Sequence, residues 1–176
     1  MHQRSLLPSR RTFIQTALSM LSISTLAYAQ SGVTAIQPET VTVWKTPTCG
    51  CCKDWVIHLR KEGFNVVTND VNDTAPVRQK LGLPDKFGSC HTALVGGYVL
   101  EGHVPAQEVK RLLREKPAAV GLAVPGMPIG SPGMEMRGEM SGVRDAYNVV
   151  IVSKDGSSRV YQSYTAKAAN RSSSKS

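Results

Sequence analysis

The sequence predicts an α/β domain, a mixed sheet with flanking helices, extended by a Met/Gly/Pro-rich arm and a C-terminal β-hairpin. Three observations carry that class. Short β-rich stretches alternate with stretches of helical periodicity in the order β-α-β-α-β-β-α. Gly96-Gly97 lies between two apolar runs, a two-residue hairpin signal. Three cysteines crowd the junction between the first strand and the first helix. The chain has 176 residues, 41% hydrophobic and 19% charged, so it can bury one core and is not globally disordered.

In order along the chain, residues 1–29 read as an export signal: Arg10-Arg11-Thr12-Phe13-Ile14, an apolar run over 16–26, then Ala27-Tyr28-Ala29. The paired arginines match a twin-arginine signal, although a general secretory signal has the same outline. The apolar run is too short for a membrane span, and a periplasmic location is expected without stable membrane insertion after cleavage. Residues 30–40 are a polar lead-in. A first strand is predicted over 41–44, running into Thr46-Pro47-Thr48. A helix over about 53–62 follows the cysteines, with Trp55, Val56 and Leu59 on its apolar face and Gly63 as its stop. Trp44 and Trp55 are both expected in the core.

A second strand is predicted over 65–71 and a short helix over about 75–81, entered through Asp73 or Thr74 and closed by Gly82. Strands over 92–95 and 98–101 flank Gly96-Gly97. Pro105 suits the first turn of a helix that turns Val109, Leu112 and Leu113 inward and ends at Pro117. These elements span a first unit, 41–117. Between 117 and 140 there are five glycines, four prolines and four of the six methionines, a composition that predicts an irregular arm (118–140) with no strand or helix. A second hairpin (within 141–165) is expected from strands over 146–153 and 158–164, and a disordered tail over 166–176.

Charge excludes little but does weigh against one class. The net formal charge is +8, and removing Arg4, Arg10 and Arg11 with the signal leaves 18 basic against 13 acidic residues, a net +5. The excess is scattered and aromatics are only 6% of the chain, which argues against nucleic acid as a partner.

The chemistry is in the cysteines. Cys49, Cys51 and Cys52 fall within four positions, where helix N–H groups favour thiolates. Thiolates select copper(I), zinc or iron–sulfur clusters over hard cations. Four readings stay open on the residues alone. Structural disulfides would restrain almost no chain inside so small a block. A structural zinc site usually pairs two C-x₂₋₄-C units, and one is present. A metal-free dithiol site would use Cys49 and Cys52 as its catalytic pair and leave Cys51 without a task. A sulfur-rich copper(I) site, with room for several ions, uses all of them.

The element order with cysteines at the first βα junction is that of a thioredoxin-like mixed sheet. In that fold the loop entering the third strand meets the start of the first helix. Thioredoxins carry a cis-proline there; this chain has Cys90-His91 instead, so Cys90 becomes a candidate fourth ligand. Lys45 and Lys53 flank the block and could offset thiolate charge. His91 is the histidine best positioned to ligate or support, His103 comes after it, and His58 is read as a partly exposed helix residue too far along the axis to share a metal. Met127, Met134, Met136 and Met140 are ordinary gap-fillers on one reading. On the other, Met127, Met134 and Met136 form an auxiliary soft-metal surface or a cover for the cysteines.

Three motifs together, Thr48-Cys49-Gly50-Cys51-Cys52, Ser89-Cys90-His91-Thr92-Ala93 and the Val-Pro-Gly-Met-Pro-Ile-Gly-Ser-Pro-Gly-Met-Glu-Met run over 124–136, resemble the CopG-like proteins. These are bacterial periplasmic proteins tied to copper resistance and long catalogued as a domain of unknown function. The likeness covers about 41–164. It implies a thioredoxin-like fold that binds copper, as a cluster, through Cys49, Cys51, Cys52 and Cys90. Redox cycling of copper or thiols and contact with other periplasmic copper-handling proteins are further implications.

Overall fold

In the computed structural model, which describes residues 39–169, the chain enters through β1 (Thr40–Lys45), whose Val41, Val43 and Lys45 alternate inward. The segment expected to be an export signal, most of the expected lead-in and residues 170–176 lie outside the described residues. Helix α1 (Gly50–Lys61) starts earlier than its periodicity predicts, inside the cysteine block. The reason is an unusual cap: Cys49 is the N-cap, and its Sγ accepts the Cys52 N–H at 3.3 Å. Cysteine is not among the preferred capping residues, so a sequence reading starts the helix too late. Trp55, Val56 and Leu59 are buried as the pattern requires, and Gly63 turns the chain at φ +90°.

β2 (Asn65–Asp70) returns parallel to β1. α2 (Ala75–Lys80) follows, with the Asp73 carboxylate accepting the Ala75 N–H at 2.9 Å. β3 (His91–Val95) and β4 (Tyr98–Glu101) form the expected hairpin, and Gly96 and Gly97 both take the positive φ that a two-residue turn of this hand needs. α3 (Ala106–Glu115) buries Val109 and Leu112, with Pro105 just ahead of it as N-cap. The parallel β1–β2 pair, the antiparallel β1–β3–β4 run and the three helices agree with the thioredoxin-like α/β class.

The segment expected to lack strands contains one. β5 (Gly121–Ala123) runs parallel to β4 and antiparallel to β6 (Tyr147–Val152), which pairs with β7 (Ser158–Tyr164). The second hairpin therefore extends the sheet through β5, giving one seven-stranded sheet in the order β2-β1-β3-β4-β5-β6-β7. Composition hid β5 because its three residues gain their order from two neighbouring strands rather than from their own propensity. Leu122 joins Val41, Trp55, Leu59 and Leu112 in the main core, while Ala123 packs on the opposite face with Leu83, Phe87 and Val152.

Two smaller expectations also change. Trp55 is fully buried, but Trp44 is half-buried and lines a shallow surface groove with Pro76, Val77 and Leu81. The tail is paired at its start: Arg144 and Lys167 exchange backbone hydrogen bonds of 2.9 and 2.8 Å. Among the described residues no helix is long and apolar enough to cross a membrane.

A β-carbon on Gly121 would meet the Val99 carbonyl oxygen at 1.8 Å, so no side chain fits there unless the backbone moves. Gly121→Ala is expected to cost about 1–3 kcal/mol through overpacking. Urea unfolding checks this, and an unchanged midpoint would show that β5 does not hold the second hairpin to the sheet.

Candidate metal centre

The register of β3 assembles the centre. Lys45 of β1 stands opposite His91, and Thr92 stands opposite Glu101 of β4. Gly102 N–H then bonds the His91 carbonyl at 3.0 Å. One more step along the same two registers puts Cys90 beside Thr46 on one flank and His103 on the other. At Thr46 the chain folds back, its carbonyl accepting the Cys49 N–H at 3.2 Å, and the cysteine turn begins.

All four cysteines meet there. The sulfurs of Cys49, Cys51, Cys52 and Cys90 lie within 4.8 Å of one another, drawn from two segments far apart in the chain. Cys49 and Cys52 are joined as a disulfide, whereas Cys51 and Cys90 are free thiols. Cys51 Sγ is 3.5 Å from Cys49 Sγ and 3.9 Å from Cys90 Sγ. Cys52 is fully buried and the other three are half-buried, so the pocket has a dry floor and a partly open mouth.

Cys90 also anchors a second group, with His91 and His103. His103 Nε2 is 3.1 Å and His91 Nδ1 3.3 Å from the Cys90 sulfur. His103 Nδ1 donates to the Pro132 carbonyl at 2.8 Å, which leaves its Nε2 lone pair facing the thiol. The His91 ring packs on Trp55 with centroids 4.3 Å apart and meets His103 edge-on at 5.0 Å. Burial pushes the Cys90 thiol up to about 12, and the neighbouring Cys51 adds to the shift. Burial pushes His91 down to about 3, helped by repulsion from His103, and lowers His103 as well. At neutral pH this is a pocket of neutral thiol and neutral imidazoles, whose lone pairs are open to a soft or borderline cation.

A buried ion pair holds the loop that presents Cys90. Glu101, fully buried, accepts the Ser89 N–H at 2.7 Å, the Thr92 hydroxyl at 2.6 Å and Arg78 Nη1 at 3.2 Å. Arg78 also binds Asp85 at 3.0 Å. The arm closes over the site with backbone rather than methionine sulfur. Ser89 Oγ donates to the Gly126 carbonyl, and a β-carbon on Gly133 would meet Cys51 O and Trp55 N at 2.7 Å. Met127, Met136 and Met140 are exposed and Met134 is half-buried.

Several expectations shift on this geometry. His103 stands as close to Cys90 as His91 does, and the hairpin register read from Gly96-Gly97 could have located it. Arg78 and Glu101 carry no motif, and Ser89 lies inside the Ser89–Ala93 motif without a role of its own in it, so the sequence points to none of the three. Lys45 is buried and bound to Asp70 at 2.6 Å, so it is not free to offset thiolate charge, and Lys53 is exposed. His58 is half-buried on α1, as a partly exposed helix residue should be, and its Nε2 also accepts the first N–H of α3, from Ala106, at 3.1 Å.

Fold and site define an α/β protein with a seven-stranded mixed sheet and a clustered-cysteine centre at its first βα junction. Two solved structures titled "Copper resistance protein copG", Form 2 and Form 1, are each 44% identical to it with TM-scores of 0.67. The alignments cover 72% and 73% of this chain and 98% of each of those chains. The chain belongs to the CopG family. Residues 87–134 also match the family described as "Protein of unknown function, DUF411". No curated protein matches the chain.

The depressed His91 fixes a pH dependence. Folded, the ring stays neutral where an unfolded histidine takes up a proton, so its contribution is complete above about 6.5 and is lost as the pH falls toward about 3. Between pH 7 and 5 the metal-free protein is expected to lose about 2 kcal/mol more than its His91→Gln variant. Urea unfolding of both at the two pH values checks this; equal losses would contradict it.

Proposed function

We propose that this chain is an exported copper-binding protein of copper homeostasis that holds copper(I) in the pocket of Cys49, Cys51, Cys52 and Cys90. One observation carries the reading: four sulfurs from two distant segments converge within 4.8 Å, in a chain whose similar solved structures are titled copper resistance proteins. The donor set fits the ion. Reduced, it offers four sulfur donors, which select copper(I) as thiolates once the metal displaces their protons, and the Cys52 N–H of helix α1 points at Cys49 Sγ.

Charge favours more than one ion. Four thiolates around a single monovalent cation leave three uncompensated charges in a half-buried pocket, and Lys45 is already committed to Asp70. Several copper(I) ions bridged by the same sulfurs lower that excess. We assign Met127, Met134 and Met136 an auxiliary role as neutral soft donors at the surface. His91 and His103 support Cys90. Export through residues 1–29 to the periplasm, and exchange of copper with other copper-handling proteins there, complete the reading.

The Cys49–Cys52 disulfide favours a second reading, thiol–disulfide oxidoreduction. Closing that bond releases two electrons and two protons. The electrons pass to a disulfide substrate, or reduce two copper(II) to two copper(I) when copper is the substrate. Closure also removes two of the four thiolate donors, so oxidation and copper(I) retention oppose one another.

Anaerobic titration of the reduced mature chain with copper(I), against a chromophoric chelator, tests the reading. The expected result is at least one copper(I) per chain, with Cys90→Ser lowering the ratio and weakening affinity at least tenfold. Cys51→Ser separates the alternatives: a metal-independent dithiol enzyme keeps disulfide exchange at wild-type rates, whereas the copper pocket loses stoichiometry. A copper-to-protein ratio near zero in the wild type would overturn the copper reading.

A further inference from the structure

We infer that, with the Cys49–Cys52 disulfide closed, Cys90, His91 and His103 form a mixed nitrogen–sulfur site for a single divalent cation of the zinc(II) or copper(II) type. This goes beyond the copper(I) reading and stands if that reading fails, because it needs only one of the four sulfurs.

The donor atoms are already gathered. Cys90 Sγ lies 3.1 Å from His103 Nε2 and 3.3 Å from His91 Nδ1, and all three are within 4.8 Å of one another. Zinc–sulfur and zinc–nitrogen bonds of about 2.3 and 2.1 Å separate neighbouring ligands by about 3.6 Å. The two sulfur–nitrogen pairs therefore need to open by only a few tenths of an ångström. Both histidines are fully buried on rigid neighbours, one on β3 and one just past β4.

Two further observations point to a ligand. His103 donates from Nδ1 to the Pro132 carbonyl, the outer hydrogen bond that fixes a metal-binding imidazole in the tautomer with a free Nε2. His91 is fully buried, yet its Nε2 has no hydrogen-bond partner. A buried ring with an unpartnered nitrogen costs stability, and a phenyl ring on Trp55 would avoid that cost. What a phenyl ring lacks is the nitrogen that His91 aims at Cys90.

The two donor sets differ in hardness and charge. Four thiolates suit a soft monovalent ion, but the closed disulfide withdraws Cys49 and Cys52 from ligation. One thiolate with two neutral imidazoles suits a borderline dication, leaving one net positive charge and an open position near Cys51, whose sulfur is 3.9 Å from that of Cys90. On binding, the Cys90 thiol proton is released to solvent as the sulfur–metal bond forms. Cys90 is common to both sets, so the two sites exclude each other and the state of the disulfide selects between them.

The full mature chain carrying Cys51→Ser, with the disulfide closed, has Cys90 as its single thiol. Anaerobic titration with cobalt(II), which does not oxidise thiols, is expected to give one ion per chain with a thiolate-to-cobalt charge-transfer band and tetrahedral visible bands. Zinc(II) should displace it. The band should vanish in C51S/C90S, and affinity should fall at least tenfold in C51S/H103Q and in C51S/H91F. Nitrogen-15 resonances of both imidazoles in C51S should shift with one equivalent of zinc(II), a readout that stands even if the histidine variants fail to fold. Absence of the thiolate band, or zinc binding that moves neither imidazole, would overturn the proposal. Cobalt(II) binding by oxidised C51S alongside no copper(I) uptake by reduced wild type would overturn the copper(I) reading and leave this one standing.

Discussion

The chemistry of this protein depends on how β3 is registered between β1 and β4. Antiparallel pairing on both sides fixes which residue opposes which, and a slip of one position would turn every side chain of β3 to the other face. With the observed register, Cys90 emerges where β1 runs out into the cysteine turn and where β4 runs out toward His103. The buried Glu101 carboxylate, held by Arg78, Thr92 and the Ser89 N–H, locks that exit. Removing one partner of such a pair leaves a charge uncompensated, so the fold has a strong reason to keep the loop in place.

Burial gives the centre its electrostatic character. Cys90 is held as a thiol and the two histidines are held neutral, so the pocket stores lone pairs without storing charge. The buried lysine on β1 opposite His91, Lys45, is tied to Asp70. Positive charge must come from whatever binds. The arm contributes shape rather than donors at this point: the Pro132 carbonyl orients His103, and Gly133 lets the backbone lie directly on the first turn of α1.

Much of this was legible from the residues, for identifiable reasons. Alternation in β1, the apolar face of α1 and the Gly96-Gly97 turn each have a strong local cause, and the strand, that face and the turn stand where the pattern predicts. The start of α1 was misread because its cap is a cysteine. β5 escaped because three residues of a Gly/Pro-rich segment take their order from β4 and β6. The cysteine trio is visible in any reading, and Cys90 follows from the fold class. His103 was undervalued, although counting back from the hairpin turn sets it opposite Cys90. Arg78 and Glu101 belong to no motif; their pairing appears only once Arg78 of α2 reaches the carboxylate of Glu101 on β4.

X-ray absorption at the copper edge, on the reduced chain loaded anaerobically with copper(I), tests the convergence of the four sulfurs most directly. The account predicts a first shell made of sulfur alone, which loses sulfur when Cys90 is replaced by serine. A shell dominated by nitrogen or oxygen, or a sulfur shell indifferent to Cys90, would contradict it.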